Sequence, residues 1–331
     1  MPSYRSNSSR PAPRPRVAIT IGDPFGVGPE IVLKSVKFLG READFIIVGD
    51  SSVIAAAAKL PATPALPRNV TLIDPYIIAP SKVRFGCQSK LSGEASLTYL
   101  DLALGLIKEK KADCLVNAPL SKEAVSSTGI NFIGHTEYIA GRFKVKDFAM
   151  MLIGGPLKVT LVTRHIPVKA VPKSLTKKEI IKAIRLSHEA LVDYFGIPDP
   201  RIGVASLNPH GGEGGKMGRE EIEVITPAVN EMKKRFKNIT GPASSESLFY
   251  LAYRGRLDCV VAMYHDQGLT PLKMIARDNS INITLGLPFV RTSPGHGTAF
   301  DIAGKGIADR GPLTEAVKLA VDIFRKKKGR T

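Results

Sequence analysis

The sequence predicts an α/β protein on a largely parallel sheet, because short apolar runs that end in turn residues alternate with segments of helical period. Length adds to this: 331 residues exceed an average domain, so two lobes around sizeable cores are expected. In chain order the strand-like runs are RVAITIG (16–22), DFIIVGD (44–50), NVTLID (69–74), DCLVNAP (113–119), KVTLVTRH (158–165), RIGVASLNPHGG (201–212) and DCVVAMYHDQG (258–268). Between them stand the helix candidates PEIVLKSVKFL (29–39), SSVIAAAAKL (51–60), GEASLTYLDLALGLIKEKK (93–111), KKEIIKAIRLSHEALVDYFG (177–196) and REEIEVITPAVNEMKKRF (219–236). In folds of this class the functional residues gather where strands end.

The formal net charge of +17 raises the possibility of a non-catalytic basic binding protein. Its distribution argues otherwise. Residues 1–16 hold four arginines and no acid, and residues 325–330 hold five basic side chains, so much of the excess sits in the tails. The first 16 residues, rich in Pro, Ser and Arg, are expected to be a disordered basic leader, the alternative being a transit peptide, against whose amphipathic helix the four prolines argue. No basic stretch is interleaved with aromatics and Trp is absent, so no nucleic-acid platform is expected. Cys87, Cys114 and Cys259 are far apart, which suggests neither a disulfide framework nor a thiolate metal site. No apolar run approaches 18 residues and no signal peptide opens the chain, so no membrane association is expected and a cytoplasmic location is.

Three histidines occupy comparable places just beyond strand-like runs: His165, His210 and His265, spaced 45 and 55 residues apart. Each alone reads as a hydrogen-bonded turn histidine; together they could converge on one metal ion. His188 lies within a helical pattern and reads as structural. Glycines 22, 26 and 28 in ITIGDPFGVGPE do not match the dinucleotide fingerprint. The stretch SPGHGTAFDIAGKGIAD (293–309) must turn repeatedly while presenting His296, Thr298 and Asp301.

Eight blocks in collinear order, GDPFGVGPEI, NAPLSKEAV, GHTEYIA, TRHIPV, NPHGGEGGKMGREE, MYHDQGLTPLK, NITLGLPFVRTS and HGTAFDIAGKG, resemble the 4-hydroxythreonine-4-phosphate dehydrogenase family of vitamin B6 biosynthesis. The resemblance runs from about Val17 to Ile323. It implies a two-lobed isocitrate/isopropylmalate dehydrogenase-like fold with a non-Rossmann cofactor site, and a homodimer whose active site is shared between subunits. The lobes are expected at residues 17–140 plus 276–331, carrying the cofactor loop, and 141–275, carrying the metal ligands and dimer interface. The family's metal ligands fall on His165, His210 and His265, and its substrate-binding residues on His135, Thr136, Lys273, Asn282 and Arg291.

By the same resemblance the cofactor loop is Gly295, His296, Gly297, Thr298 and Asp301, and the implied cofactors are NAD, with NADP possible, and a divalent zinc, cobalt, manganese or magnesium ion. The activity implied is oxidation and decarboxylation of 4-phosphohydroxy-L-threonine, a phosphorylated 3-hydroxy acid, to 3-amino-2-oxopropyl phosphate. The alternative substrates are 4-phospho-D-threonate and 4-phospho-D-erythronate, which give dihydroxyacetone phosphate. Asp266 and Lys273 are the candidate catalytic groups, with Asp266 either taking the hydroxyl proton or orienting His265. The chain departs from the family pattern at Phe25, where a small Ala is typical, and at Ser244–Glu246, where Pro-Ala-Asp is usual.

Overall fold

A computed structural model describes residues 14–276 and 279–329. Its strands are β1 (Arg16–Thr20), β2 (Asp44–Val48), β3 (Thr71–Ile73), β4 (Cys114–Asn117), β5 (Ala149–Gly154), β6 (Leu157–Leu161), β7 (Ile202–Ala205), β8 (Ile239–Ala243), β9 (Cys259–Ala262), β10 (Ile281–Leu285) and β11 (Val290–Pro294). They form one 11-stranded sheet in the order β3-β2-β1-β4-β11-β10-β5-β6-β9-β7-β8. The helices are α1 (Gly28–Leu39), α2 (Ser51–Ala57), α3 (Lys90–Lys108), α4 (Lys122–Ser126), α5 (His135–Arg142), α6 (Val171–Ser174), α7 (Lys177–Asp193), α8 (Thr226–Lys233), α9 (Ser245–Tyr253), α10 (His265–Ala276) and α11 (Gly311–Lys328).

The pairings are parallel from β3 to β11 and again from β6 to β8, as the alternation of apolar runs and helices predicts. The centre is antiparallel, where β10 and β5 run between β11 and β6. Strands β6, β9 and β7 are adjacent and parallel, so their C-terminal ends share one edge of the sheet. Side-chain alternation divides β9 between two apolar cores. Cys259 and Val261 enter the larger one; Val260 and Ala262 enter a smaller one with Leu248, Phe249 and Leu272 of α9 and α10.

Local chemistry sets the element ends. Helix α1 opens with Pro29 and Glu30 in its first turn, and α3 opens with a reciprocal capping box between Ser89 and Ser92, three residues before the helical period becomes visible. The segment 219–236 divides into a π-helical turn, Glu221–Ile225, and α8, because Pro227 has no N–H for the helical ladder. Helix α10 carries Pro271 inside it.

Residues 1–13 of the expected leader lie outside the described residues, and its expected limit at residue 16 is too long. Arg16 is the first residue of β1, and its guanidinium grips Asp113 through Nε at 3.0 Å and Nη2 at 2.9 Å. Among the described residues, no helix is long and apolar enough to cross a membrane. His188 stacks on Phe236 with ring centroids 3.7 Å apart, in keeping with a structural role.

Candidate active site

A cleft of about 260 Å³ opens over the antiparallel centre of the sheet. Its floor is made by period-2 faces: Asn282 of β10 pairs with Ser293 of β11 on one side and with Leu152 of β5 on the other, and all three side chains line the cleft. Arg291 lies two residues before Ser293 and so faces the same way. It is 1% exposed. Its Nε donates to Asn117 Oδ1 at 2.8 Å and its Nη1 to Thr284 Oγ1 at 3.3 Å. No carboxylate lies within ion-pair distance of it among the described residues. Burial pushes the guanidinium down to about 9, with the charge of Glu137 acting in the opposite direction. An arginine desolvated without a counter-ion is a site for an anion.

One wall is the N-terminus of α5, where Gly134, His135, Thr136 and Glu137 line the cleft. No side chain caps this helix, so its first-turn N–H groups and the positive end of its dipole add to the anion site. Thr136 Oγ1 is 3.3 Å from Thr284 Oγ1, which joins the helix to the polar chain under Arg291. Burial, followed by the charges of Arg291 and Lys122, holds the His135 pKa well below the usual imidazole range, so this ring is neutral. Asn282 Oδ1 is buried and has no hydrogen-bond partner among the described residues.

His165 and His265 stand together at the cleft, with ring centroids 5.5 Å apart. Asp266 Oδ1 lies 2.7 Å from His265 Nδ1, which leaves Nε2 as the nitrogen free for a ligand. His210 does not join them: the described residues contain no group of three or more His, Cys, Asp or Glu side chains able to hold a metal. The chain beyond β7 is drawn toward β8 and the π-helical turn instead. Ser206 N donates to Ala243 O at 2.8 Å, and the buried Glu221 accepts from Leu207 N at 2.7 Å and Asn208 N at 2.8 Å. From there Pro209–Gly215 winds as a left-handed turn, with positive φ at every residue from His210 to Gly215. His210 ends near Glu246 of α9, whose carboxyl is held below its usual range by Ser244 first and by His210 to a smaller extent.

Gly295, His296 and Gly297 also line the cleft, whereas Lys273, Asp266, Thr298 and Asp301 do not. Lys273 Nζ donates to Gly295 O at 2.6 Å and so holds the turn that opens the glycine-rich loop. Asp266 is largely exposed beside a smaller cavity of about 160 Å³ on His165 and His265. The loop then crosses to α1, where Val27 N donates to Thr298 O at 3.0 Å. The protein's own carbonyl therefore occupies the helix N-terminus that a Rossmann fold offers to a pyrophosphate.

Three further hydrogen bonds fix the loop. Lys34 Nζ donates to Gly306 O at 2.9 Å and Ala308 O at 3.0 Å, and Glu30 Oε1 accepts from Ala308 N at 2.8 Å. Asp301 is exposed in a turn, and no helix starts there for it to cap. Phe25 is 3% exposed, so its bulky ring is absorbed by the core, and its carbonyl accepts from Gly86 N at 2.8 Å.

Sequence reasoning did not single out Asn117, Lys122, Glu137 or the Glu30–Lys34 latch. The i,i+4 spacing of Glu30 and Lys34 was a readable signal. The others acquire meaning only from neighbours distant in the chain.

The profile of the family described as "Pyridoxal phosphate biosynthetic protein PdxA" matches residues 36–320. The chain is 41% identical over 322 residues to a 4-hydroxythreonine-4-phosphate dehydrogenase of Sulfurihydrogenibium sp., covering 95% of this chain and 99% of the relative. It is 38% identical over 329 residues to a D-threonate 4-phosphate dehydrogenase of Cupriavidus necator, covering 95% and 98%. Among solved structures it resembles 4-hydroxythreonine-4-phosphate dehydrogenase from Klebsiella pneumoniae, with a TM-score of 0.81 at 36% identity over 93% of this chain and 99% of that one. Isocitrate dehydrogenase from Methylococcus capsulatus shares the fold, with a TM-score of 0.52 at 15% identity over 95% and 86%.

Proposed function

The chain belongs to the pyridoxal phosphate biosynthetic protein PdxA family, and we propose that this dehydrogenase oxidises and decarboxylates 4-phosphohydroxy-L-threonine to 3-amino-2-oxopropyl phosphate in pyridoxal 5′-phosphate biosynthesis. The observation that carries the reading is Arg291, a buried cation with no carboxylate partner among the described residues, beside the open N-terminus of α5 and in the same cleft as two paired imidazoles. Arg291, His135 and the first turn of α5 bind the phosphate through N–H donors. Thr136 and Asn282 contribute neutral polar contacts.

The paired imidazoles fit part of a divalent-metal donor set: His165 and His265 would hold the ion, and His210 would complete the set from a second protomer. When bound, such an ion holds the substrate hydroxyl, lowers its pKa and polarises the new carbonyl. A nicotinamide cofactor, when bound, would supply the acceptor for the hydride on C3. Asp266 orients His265 from Nδ1. Lys273, tied to Gly295 O between the substrate floor and the loop, is the candidate carrier of the proton that replaces carbon dioxide on C2. NAD is the preferred cofactor, because Asp301 leaves an exposed carboxylate on the loop, where it would accept from a ribose 2′-hydroxyl and repel a 2′-phosphate.

A homodimer with a shared site is part of the same reading. It is supported by the distance of His210 from the other two histidines within one chain, and by the exposed Tyr250, Tyr253 and Met274 on α9 and α10. The test is turnover of 4-phosphohydroxy-L-threonine, 4-phospho-D-threonate and 4-phospho-D-erythronate with NAD and NADP, before and after chelation. Chelation should abolish turnover, Zn²⁺, Co²⁺ or Mn²⁺ should restore it, and the first substrate should have the highest kcat/KM. Full turnover by rigorously metal-free protein, or none with any substrate, refutes the assignment.

A further inference from the structure

Glu137 is the least explained group of the cleft. Its Oε1 accepts from Arg164 Nε at 2.9 Å, but its Oε2 is buried and has no hydrogen-bond partner among the described residues. A carboxylate oxygen without a donor is costly unless a ligand supplies one. Across from it, Lys122 at the start of α4 is exposed, lines the same cleft, and has no hydrogen bond or ion pair among the described residues. The two converge on Gly134: a Cβ built there would lie 3.2 Å from Glu137 Oε2 and 3.7 Å from Lys122 Nζ. Glycine leaves that space open. Yet the carboxylate and the ammonium do not pair with each other within 4.0 Å, so an anionic and a cationic group flank a gap in the cleft wall.

We propose that Glu137 and Lys122 form a slot for an α-amino acid zwitterion, in which Glu137 Oε2 receives the substrate's C2 ammonium and Lys122 its C1 carboxylate. Glu137 is then the group that selects a 2-amino acid over a 2-hydroxy acid. This assignment rests on the dehydrogenase reading above and names the part of the site that would read the C2 substituent, the point at which the substrates in its relatives' names differ. An ammonium carries a full charge and three N–H donors, whereas a hydroxyl is neutral and donates once. The cleft offers a second acceptor without a donor, Asn282 Oδ1, which a multi-donor group serves better than a hydroxyl.

The experiment compares kcat/KM for 4-phosphohydroxy-L-threonine and 4-phospho-D-threonate in the parent, Glu137→Gln, Glu137→Asp and Lys122→Met, with thermal melts on each. Glu137→Gln retains an oxygen for Arg164, and Glu137→Asp retains the charge one methylene short. In Glu137→Gln the amino-to-hydroxy selectivity ratio should fall at least tenfold, and it should fall less in Glu137→Asp. Lys122→Met should raise KM for both substrates by a similar factor and leave the ratio within about twofold. A ratio unmoved by both Glu137 changes overturns the slot, as does a parent that prefers the 2-hydroxy acid; in either case an active enzyme leaves the dehydrogenase reading standing. Turnover of neither substrate by the parent, with metal and either nicotinamide cofactor present, removes both.

Discussion

Arg291 Nε donates to Asn117 Oδ1 at 2.8 Å, so a neutral amide, not a carboxylate, orients the cation under the cleft. Among the described residues that charge has no counter-ion, and ligand binding can supply one. Arg291→Met should therefore melt at or above the parent's temperature while losing roughly 10- to 100-fold or more in kcat/KM, the cost of one or two charge-assisted hydrogen bonds. Inorganic phosphate should raise the melting temperature of the parent and not of the variant. A variant that unfolds easily but retains turnover would show that the arginine is structural.

Because His165 and His265 meet in one chain and His210 stands apart, protomers of His265→Ala and His210→Ala should complement each other when mixed. Each variant alone should lose bound metal and turnover. In a heterodimer one of the two sites would combine an intact His165 and His265 with an intact His210, so activity should return toward half of the parent level. Verified heterodimers that remain inactive would rule out donation of His210 across an interface.

Asp23 is fully buried, accepting from Phe25 N at 2.9 Å and Ser92 Oγ at 3.1 Å, and burial raises its pKa from 3.8 to about 6 despite those bonds. The native state therefore binds more protons than the unfolded chain between these values, so this group's contribution to stability is present at low pH and is lost as pH rises through about 6. The loss is on the order of 3 kcal/mol. Asp23→Asn should remove that slope, with the melting-temperature difference, variant minus parent, growing from pH 4 to pH 6 and constant above. A difference independent of pH would mean the carboxyl is ionised throughout.

Asp301 is exposed on a loop whose flanks are tied to Val27, Glu30 and Lys34. Repulsion of a 2′-phosphate plus a lost ribose hydrogen bond should favour NAD over NADP by about 2 to 3 kcal/mol, or roughly a hundredfold in kcat/KM. Asp301→Ala should narrow that ratio. Equal use of both cofactors by the parent, or a ratio unchanged in the variant, would show that this carboxylate does not read the ribose.

The sequence makes legible the elements whose periodicity is complete. Strands β1, β2, β3, β4, β7 and β9 fall within the apolar runs, β6 begins one residue before its run, and α1 and α7 match their helical segments closely. Strands β5, β10 and β11 are harder to read, because Ala149–Gly154 is buried along almost its whole length and lacks alternation. Pro271 hides α10, and a Ser-x-x-Ser capping box is a weaker start signal than one closed by Glu or Gln. In the site, distance from a strand end identifies His165 and His265 as neighbours but fails for His210, because Glu221 and β8 redirect its loop. Glu137 and Lys122 carry no signal of their own. Each becomes informative only when folding leaves Glu137 Oε2 without a donor, and Lys122 without an ion pair, among the described residues.

The left-handed turn at Pro209–Gly215 bears on heredity as well as on geometry. His210 and Glu213 already occupy a hand of backbone that costs an L-residue roughly 1 to 2 kcal/mol, and the glycines at 211, 212, 214 and 215 keep the rest of the run free of that cost. Drift at these positions is directional: a codon change toward glycine relaxes the loop, and one away from glycine tightens it. Selection acting on His210 will therefore preserve neighbouring glycines that need touch no ligand, and a saturation scan will record intolerance at Gly211 and Gly214, where an added Cβ would meet nothing within 4 Å.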